Sequence, residues 1–511
     1  MAGLLSRERI IAPPGFNRWL VPPAALAIHL CIGQAYAFSV FKIPLSRVVG
    51  ITQPAPGDWK FTELQWVFTL AIVWLGLSAA IAGRWLERAG PRKGGVVAAF
   101  CWGGGFLIAA LGVYLHRLWL LYLGYGFIGG WGLGLGYISP VSTLIKWFPD
   151  RRGMATGMAI MGFGGGARIA APLSDVLMKH FASATDVGVW QTFLTMGVLY
   201  FVAMMCGAFA YRLPSPDWRP KGWSAPTQRH TLVTTRQVHV DEAIKTPQFY
   251  LLWMVLCMNV SAGIGIIEQA SPMIQEIFKG AVSASAAAGF VGLLSLFNIG
   301  GRIFWASLSD YIRRKPTYTI FFTLACVLYA AIPFAGGIGS VPLFVGCALI
   351  ILTMYGGGFA TIPAYVADIF GTHFVGAIHG RILTAWSAAG VLGPALVNYI
   401  REYQVGHGVA KADAYNVTMY VMVGLLVVGF CCNLAVRPVA ERHYMTDAQL
   451  DAERRLISER RGVAMALNHA GPDAPSSESS WLRVAVAWIL VGLPLLWGVF
   501  NTIKKALALF R

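Results

Sequence analysis

Acidic residues are scarce. The 511-residue chain has 23 Asp and Glu against 40 Lys and Arg, and all charged residues together make up 12% of it. Soluble domains average about 25%, so a soluble globular protein of this size is excluded. The shortage of charge goes with 56% hydrophobic residues and a mean hydropathy of +0.60. The apolar runs are continuous rather than alternating, which excludes a transmembrane β-barrel. No phosphate-binding loop is present: GYGFIGGWGLGLGY and GFGGGA are rich in glycine, but no Lys-Ser/Thr follows either. Energy must therefore come from gradients rather than ATP. The eight cysteines fall in apolar runs, only Cys431 and Cys432 are adjacent, and there is no CxxC. They read as small apolar fillers, with no disulfide and no metal site. No Ser/His/Asp or Cys/His constellation stands out, so neither an enzyme nor a cofactor is expected. The first apolar run lacks a small-residue cleavage site and reads as an uncleaved helix.

What is there is a series of apolar runs of about 20 residues, each long enough to cross a bilayer core of about 30 Å. They are predicted at 19–41, 62–82, 94–114, 118–140, 153–178, 190–211, 249–274, 286–308, 317–336, 342–366, 375–400 and 415–436, with a thirteenth at about 482–503. The fold class is thus an all-α polytopic membrane protein. The expected organisation is a six-helix half over 1–211, a central loop over 212–248, a second half over 249–437, a polar linker over 438–480 and a further helix over 481–511. That last helix either spans the bilayer or lies at its surface.

The net charge of +17 would suggest nucleic acid in a soluble protein. Here the basic residues cluster in alternate loops: the N-terminus, Arg84–Lys93, Lys146–Arg152, the central loop, Arg313–Lys315 and after Arg437. This is the positive-inside pattern. It puts those loops and the N-terminus in the cytoplasm, makes the bilayer the partner and leaves no nucleic-acid function. The linker reads as an amphipathic helix over ERHYMTDAQLDAERRLISERR followed by a tether, GPDAPSSESS.

The halves repeat at an offset of roughly 220 residues. GRWLERAGPRK (83–93) matches GRIFWASLSDYIRRK (301–315), and GYISPVSTLIKWF (136–148) matches GFATIPAYVADIF (358–370). Six-helix halves related in this way place a substrate site near the midplane, between them.

Several polar residues lie inside the spans. Arg302 is eight residues before Asp310, so about 12 Å into the core, too deep to reach the surface comfortably. It must face a cavity or a partner, and its planar fork fits a carboxylate. The alternative is an arginine tied to helix carbonyls or to an acid. Arg168 lies about 21 Å from the basic end of the fifth span and is either a second site cation or part of a gate. Glu268, about 28 Å into the seventh span, and His29 are candidate proton carriers. The bland alternatives are an outer salt bridge or exposure for Glu268 and a satisfied structural histidine for His29. Gln34, Tyr36, Tyr137, Tyr355 and Trp386 are candidates for the walls of a pocket, or else for ordinary packing. Ala171-Pro172 and Gly393-Pro394 occupy matched places and are expected to bend their helices.

The chain resembles the major facilitator superfamily, through the two basic loops above. Within it the chain is similar to the oxalate/formate antiporter family and more distantly to the monocarboxylate transporters. The stretches that carry this are GLGLGYISPVSTLIKWFPDRRGMATG (132–157), RIFWASLSD (302–310), AYVADIFG (364–371) and ILTAWSAAGVLGPALVNYI (382–400). The resemblance implies a conformational motif at Gly83, Arg84, Glu87, Arg88, Gly90, Arg92 and Lys93, with Asp310, Arg313 and Arg314 in the second copy. Glu87 replaces the usual Asp, and Tyr311 and Ile312 interrupt the second copy. It also implies that Arg302 binds a substrate carboxylate. Where the oxalate carriers have a second cation, a lysine, this chain has Trp386. A dianion in a low-dielectric site needs two positive partners, so a monocarboxylate such as lactate, pyruvate, formate or acetate is expected, by exchange or with a proton. An oxalate:formate antiporter is the alternative, and Arg168 would then supply the second charge. A carboxylate-binding sensor acting through 438–480 is the alternative of another class. A monomer in the cytoplasmic (inner) membrane is expected.

Overall fold

The structure is a computed structural model that describes residues 4–215, 218–220, 222, 232–453, 455 and 481–506. The tether GPDAPSSESS and most of the preceding expected helix lie outside the described residues. Thirteen long helical segments are seen among the described residues. They are α1 (Arg18–Ala37), α2 (Phe61–Ala89), α3 (Pro91–Tyr114), α4 (Leu118–Trp147), α5 (Arg152–Phe181), α6 (Val189–Ala210), α7 (Pro247–Ile277), α8 (Ala284–Ile312), α9 (Arg314–Gly337), α10 (Val341–Phe370), α11 (Val375–Gly406), α12 (Asn416–Ala435) and α13 (Trp481–Ala506). Twelve of them, α13 included, are long and apolar enough to cross a membrane. The helix left out by that measure is α5, whose 30 residues carry Arg152 and Arg168 and many glycines. It nevertheless packs at the centre, between α1 and α8.

Small residues let these helices approach closely. A Cβ on Gly33 would stand 2.2 Å from the Phe163 carbonyl oxygen, and one on Gly166 2.3 Å from that of Leu30. The α1–α5 crossing therefore tolerates no side chain at either position. Buried aromatic residues fill the wider gaps. Trp102 is fully buried and donates its indole N–H to the Cys31 carbonyl at 3.1 Å.

Two helices are interrupted. α1 is α-helical to Ile32, then 3₁₀ over Gly33–Ala37, and a short helix, Ser39–Leu45, follows. α11 breaks at Leu383, between Val375–Ile382 and Thr384–Gly406. The expected bend points behave differently: α5 is helical through Pro172, and the second segment of α11 is helical through Pro394. The break in α11 thus lies before the proline, not at it.

The end of the bundle that holds the basic loops, the basic end, is sealed by polar contacts between the two groups of six helices. Glu87 of α2 accepts from the Gly376 amide at the start of α11 at 3.0 Å and pairs with Lys146 at 2.6 Å. Asp310 of α8 accepts from the Gly153 and Met154 amides at the start of α5, at 2.8 and 2.9 Å, and pairs with Arg314. Both carboxylates sit where a helix presents free N–H groups and positive dipole. The two arrangements share one offset, 223 positions (310 less 87, and 376 less 153). Glu87 thus does in the first copy what Asp310 does in the second, and Tyr311 and Ile312 do not disturb the geometry. Arg152 bridges to Asp368, which also holds Arg314, and Asp241 holds both Arg84 and Arg381. Of the remaining motif residues, Gly83 packs against Ala377, Arg92 donates to the Leu4, Phe209 and Tyr211 carbonyls, and Arg88 and Lys93 are exposed.

α13 lies along the seam between α5 and α8 and also touches α1. Trp488 donates to the Trp19 carbonyl at 3.1 Å, near the basic end, while Gly498 packs against the Arg168 backbone. The helix therefore runs away from the basic end along the bundle.

Candidate functional site

Arg302 is 1% exposed. Its Nε donates to Asn298 Oδ1 at 3.1 Å, one turn back on α8, and its Nη1 donates to the Ile160 carbonyl of α5 at 2.8 Å. Nη2 has no partner in the protein, and the guanidinium lies 5.8 Å from the centre of the Phe359 ring. Among the described residues no carboxylate pairs with it. A buried cation with one face held and one face unmet is an incomplete ion pair, which is costly in a low-dielectric interior.

The space beside it is aromatic. Trp386 of α11 sits 4.5 Å from Phe359, 5.3 Å from Phe163, 5.5 Å from Tyr137 and 6.2 Å from Tyr36, ring centre to ring centre. Tyr355 packs on Phe359 at 5.3 Å, and Tyr36 packs on Phe163 at 5.1 Å. Trp386 Nε1 and the Tyr137 hydroxyl lack a hydrogen-bond partner, and the Tyr36 hydroxyl is within reach of both the Tyr355 hydroxyl and Arg302. Each unmet buried group costs about 1–3 kcal/mol. All five can donate, and one carries a full positive charge. Chemically, such an arrangement can accept an anion, with ring faces around it. Tyr36 is on the 3₁₀ stretch of α1, and Trp386 follows the break in α11. Interrupted helices at a midplane site are characteristic of secondary transporters.

Of the residues expected at the site, the structure brings together Arg302, Tyr36, Tyr137, Tyr355 and Trp386. It does not bring in Gln34, whose Oε1 accepts from the Tyr125 hydroxyl at 3.0 Å inside the first six helices. Arg168 is also elsewhere. It donates to Ser295 Oγ, seven residues before Arg302 on α8 and so about 10 Å further from the basic end. Glu268 is on α7, and its side chain lies outside the described residues. His29 is fully buried with its ring 5.4 Å from that of Tyr137. Sequence reading missed Asn298, Phe163, Phe359 and His379. The signal for Asn298 was its spacing of four before Arg302; that for His379 was its spacing of seven before Trp386, the same as His29 before Tyr36.

A buried cation among aromatic rings thus lies between two groups of six membrane-length helices, which helix-capping carboxylates hold together at one end. The profile of the Major Facilitator Superfamily matches residues 16–394, and the chain belongs to that superfamily. Among curated proteins it is similar to the oxalate:formate antiporter of Oxalobacter formigenes, at 26% identity over 386 residues, 74% of this chain and 84% of that protein. It is 24% identical over 448 residues to apicoplast pyruvate carrier 1 of Toxoplasma gondii, covering 77% and 79%. It is 28% identical over 216 residues to human monocarboxylate transporter 11, covering 41% of each chain. The fold matches the Escherichia coli fucose:proton symporter with a TM-score of 0.60 at 12% identity, over 82% of this chain and 99% of that one. These relatives and structural neighbours are transporters.

Proposed function

We infer that the protein carries a small monocarboxylate across a cytoplasmic membrane by alternating access, with Arg302 as the anchor. Lactate, pyruvate, formate and acetate are the substrates the site suits. The observation that carries this reading is a buried guanidinium with no carboxylate partner among the described residues, beside four aromatic donors. A carboxylate at Nη2 would meet several of them together, and the rings of Phe163, Phe359 and Trp386 offer apolar faces to a small body and no partner to a second charged end. The basic end, with the N-terminus, faces the cytoplasm by the positive-inside pattern. The two six-helix halves rock about the site. The contacts of Glu87 with Gly376 and of Asp310 with Gly153 must part for the site to open on that side. The monomer is the transporting unit, moving the anion by exchange or together with a proton.

Oxalate:formate antiport is the second reading, favoured by the 26% identity to the Oxalobacter formigenes protein. Against it stands the single cation in the box, with Arg168 about two turns away. One experiment separates the two. Proteoliposomes are loaded with unlabelled lactate, pyruvate, formate, acetate or oxalate, and entry of the labelled acid is followed for wild type and Arg302→Ala. Exchange of a monocarboxylate that the variant loses supports the first reading. Exchange of oxalate in preference to every monocarboxylate would replace it with the second.

A further inference from the structure

Two histidines lie on the basic side of the anchor. His29 is seven residues before Tyr36 on α1, and His379 is seven before Trp386 on α11. Each is therefore about 10 Å nearer the basic end than the residue it precedes. They come from opposite halves, and the Tyr137 ring lies between them, 5.4 Å from His29 and 6.0 Å from His379. His29 is 0% exposed and His379 1%.

Neither ring nitrogen of His379 has a hydrogen-bond partner in the protein, while the His29 ring lies beside the backbone carbonyls of Tyr137 and Ala159. A neutral imidazole has one N–H and one lone pair whichever tautomer it adopts. His379 thus leaves one donor and one acceptor unmet in the interior, each at a cost of about 1–3 kcal/mol. Packing alone would be served better by leucine or phenylalanine.

The charged and titratable groups that face this layer are few. α1 contributes Tyr36, α4 Tyr137, α8 Arg302 and α10 Tyr355. Toward the basic end stands the Glu87–Lys146 pair, whose carboxylate is already engaged by the Gly376 amide three residues before His379. Among the described residues no carboxylate pairs with either histidine. The nearest unbalanced charge is the positive one of Arg302. A proton on the layer is opposed by burial at both rings and by the charge of Arg302 at His29, and the charge is balanced once an anion sits there. By linkage each then favours the binding of the other.

We propose that His29 and His379, joined across the halves by Tyr137, form the proton-binding layer of the carrier. One proton taken up there travels with each carboxylate, so that net uptake is electroneutral. The proton binds a ring nitrogen on one side and leaves it on the other; no bond of the substrate changes. This rests on the carboxylate reading above and adds the coupled ion to it.

The test uses the full-length protein in proteoliposomes with a trapped pH dye. Labelled acid is followed under an imposed pH gradient, acid outside, and separately in counterflow without a gradient. Wild type, His29→Gln, His379→Gln and the double variant are compared. Wild type is expected to accumulate the acid against its gradient and to acidify the lumen in step. In each variant gradient-driven accumulation should fall at least tenfold more than counterflow does. The dependence of net uptake on pH between about pH 5 and 8 should flatten in the double variant. Gradient-driven net uptake by wild type without lumenal acidification, with counterflow intact, would overturn the proton layer and leave the carboxylate reading standing. Equal loss of accumulation and counterflow in both single variants would also overturn it, as it would mark the histidines as structural. Absence of counterflow for every acid would instead overturn the carboxylate reading.

Discussion

Arg302 of α8 donates to the carbonyl of Ile160 on α5 at 2.8 Å, so the anchor also ties one half of the carrier to the other. A lysine at this position keeps the charge but has neither the planar fork nor the reach to hold Asn298, Ile160 and a carboxylate together. Truncating one partner of a buried, hydrogen-bonded charge pair costs about 2–5 kcal/mol. Arg302→Lys and Arg302→Ala are both expected to lower counterflow by at least about 30-fold. Retention of more than a third of wild-type exchange by either variant would remove Arg302 from the site.

Trp386 contributes ring faces and one unmet N–H. Trp386→Phe keeps most of the packing and deletes the donor. A single neutral hydrogen bond is worth about 0.5–1.5 kcal/mol, so KM should rise by roughly 2- to 12-fold with kcat little changed. Such a split marks lost binding common to the ground and transition states. Unchanged KM would make Trp386 a packing residue only.

How much of this was legible in the sequence depends on the kind of signal. Spans are set by solvation, and a continuous apolar run announces itself; only α5 blurs the signal, because Arg168 and the glycines lower its hydropathy. Arg302 was legible for the same reason, as a charge where charge is expensive. Gln34 and Tyr36 are two residues apart, and that spacing cannot put both on one helical face. The sequence offers no sign that α1 turns to 3₁₀ there, presenting Tyr36 to the site and Gln34 to Tyr125. Phe163 and Phe359 were hidden among 29 phenylalanines, because an aromatic wall becomes specific only once helices from both halves converge. The exchange of Asp for Glu at position 87 looked like a departure from the motif. The longer side chain still reaches Gly376 and Lys146.

The seal at the basic end gives a pH dependence. The Arg381 hydrogen bond holds the Asp241 carboxyl below its usual range; burial opposes this, and the charges of Arg381, Arg84 and His239 reinforce it. Because the closed-state value is depressed, the contact is fully present above the ordinary carboxylate range of about 4 and is lost as the pH falls through the depressed value. Acidification below about pH 4 should therefore loosen the basic end. The readout is reaction of Ser142→Cys, whose side chain packs on Gly376, with 2,2′-dipyridyl disulfide, which stays reactive in acid because its own pyridine nitrogen protonates, in a background lacking the native cysteines. Labelling should rise on acidification, and it should already be high at neutral pH with Asp241→Asn. A flat labelling profile in both would exclude this control.

The motif loops meet a backbone demand in different ways. Gly90 has φ +88°, and Arg313, at the matched position, has φ +75° with ψ 161°. That region is open essentially only to glycine, and a side chain there costs about 1–3 kcal/mol. Arg313→Gly and Arg313→Ala both remove the guanidinium, so their difference isolates the backbone. The glycine variant should be more stable by about 1–2 kcal/mol in thermal unfolding in detergent, and Gly90→Ala should be destabilised by a similar amount. Equal stability of the two Arg313 variants would mean that the loop relaxes without strain.

α13 gives the last test, because it touches α1 and α5 of one half and α8 of the other. A helix seated on both sides of a seam resists any motion that widens that seam. A Cβ on Gly498 would lie 2.9 Å from the Arg168 carbonyl oxygen and 3.0 Å from its carbon, both backbone atoms that cannot move aside. Gly498→Val must therefore push α13 off α5 without touching the Arg302 site. If the helix restrains the rocking of the halves, Gly498→Val and truncation before Trp481 should both change the maximal counterflow rate by a factor of about two or more. KM should stay where it is, since Trp386, Tyr36 and Tyr355 are untouched, and the thermal midpoint should fall. A change in KM with an unaltered maximal rate would instead mean that α13 acts on the site, through the contact between Arg168 and Ser295 two turns from the anchor.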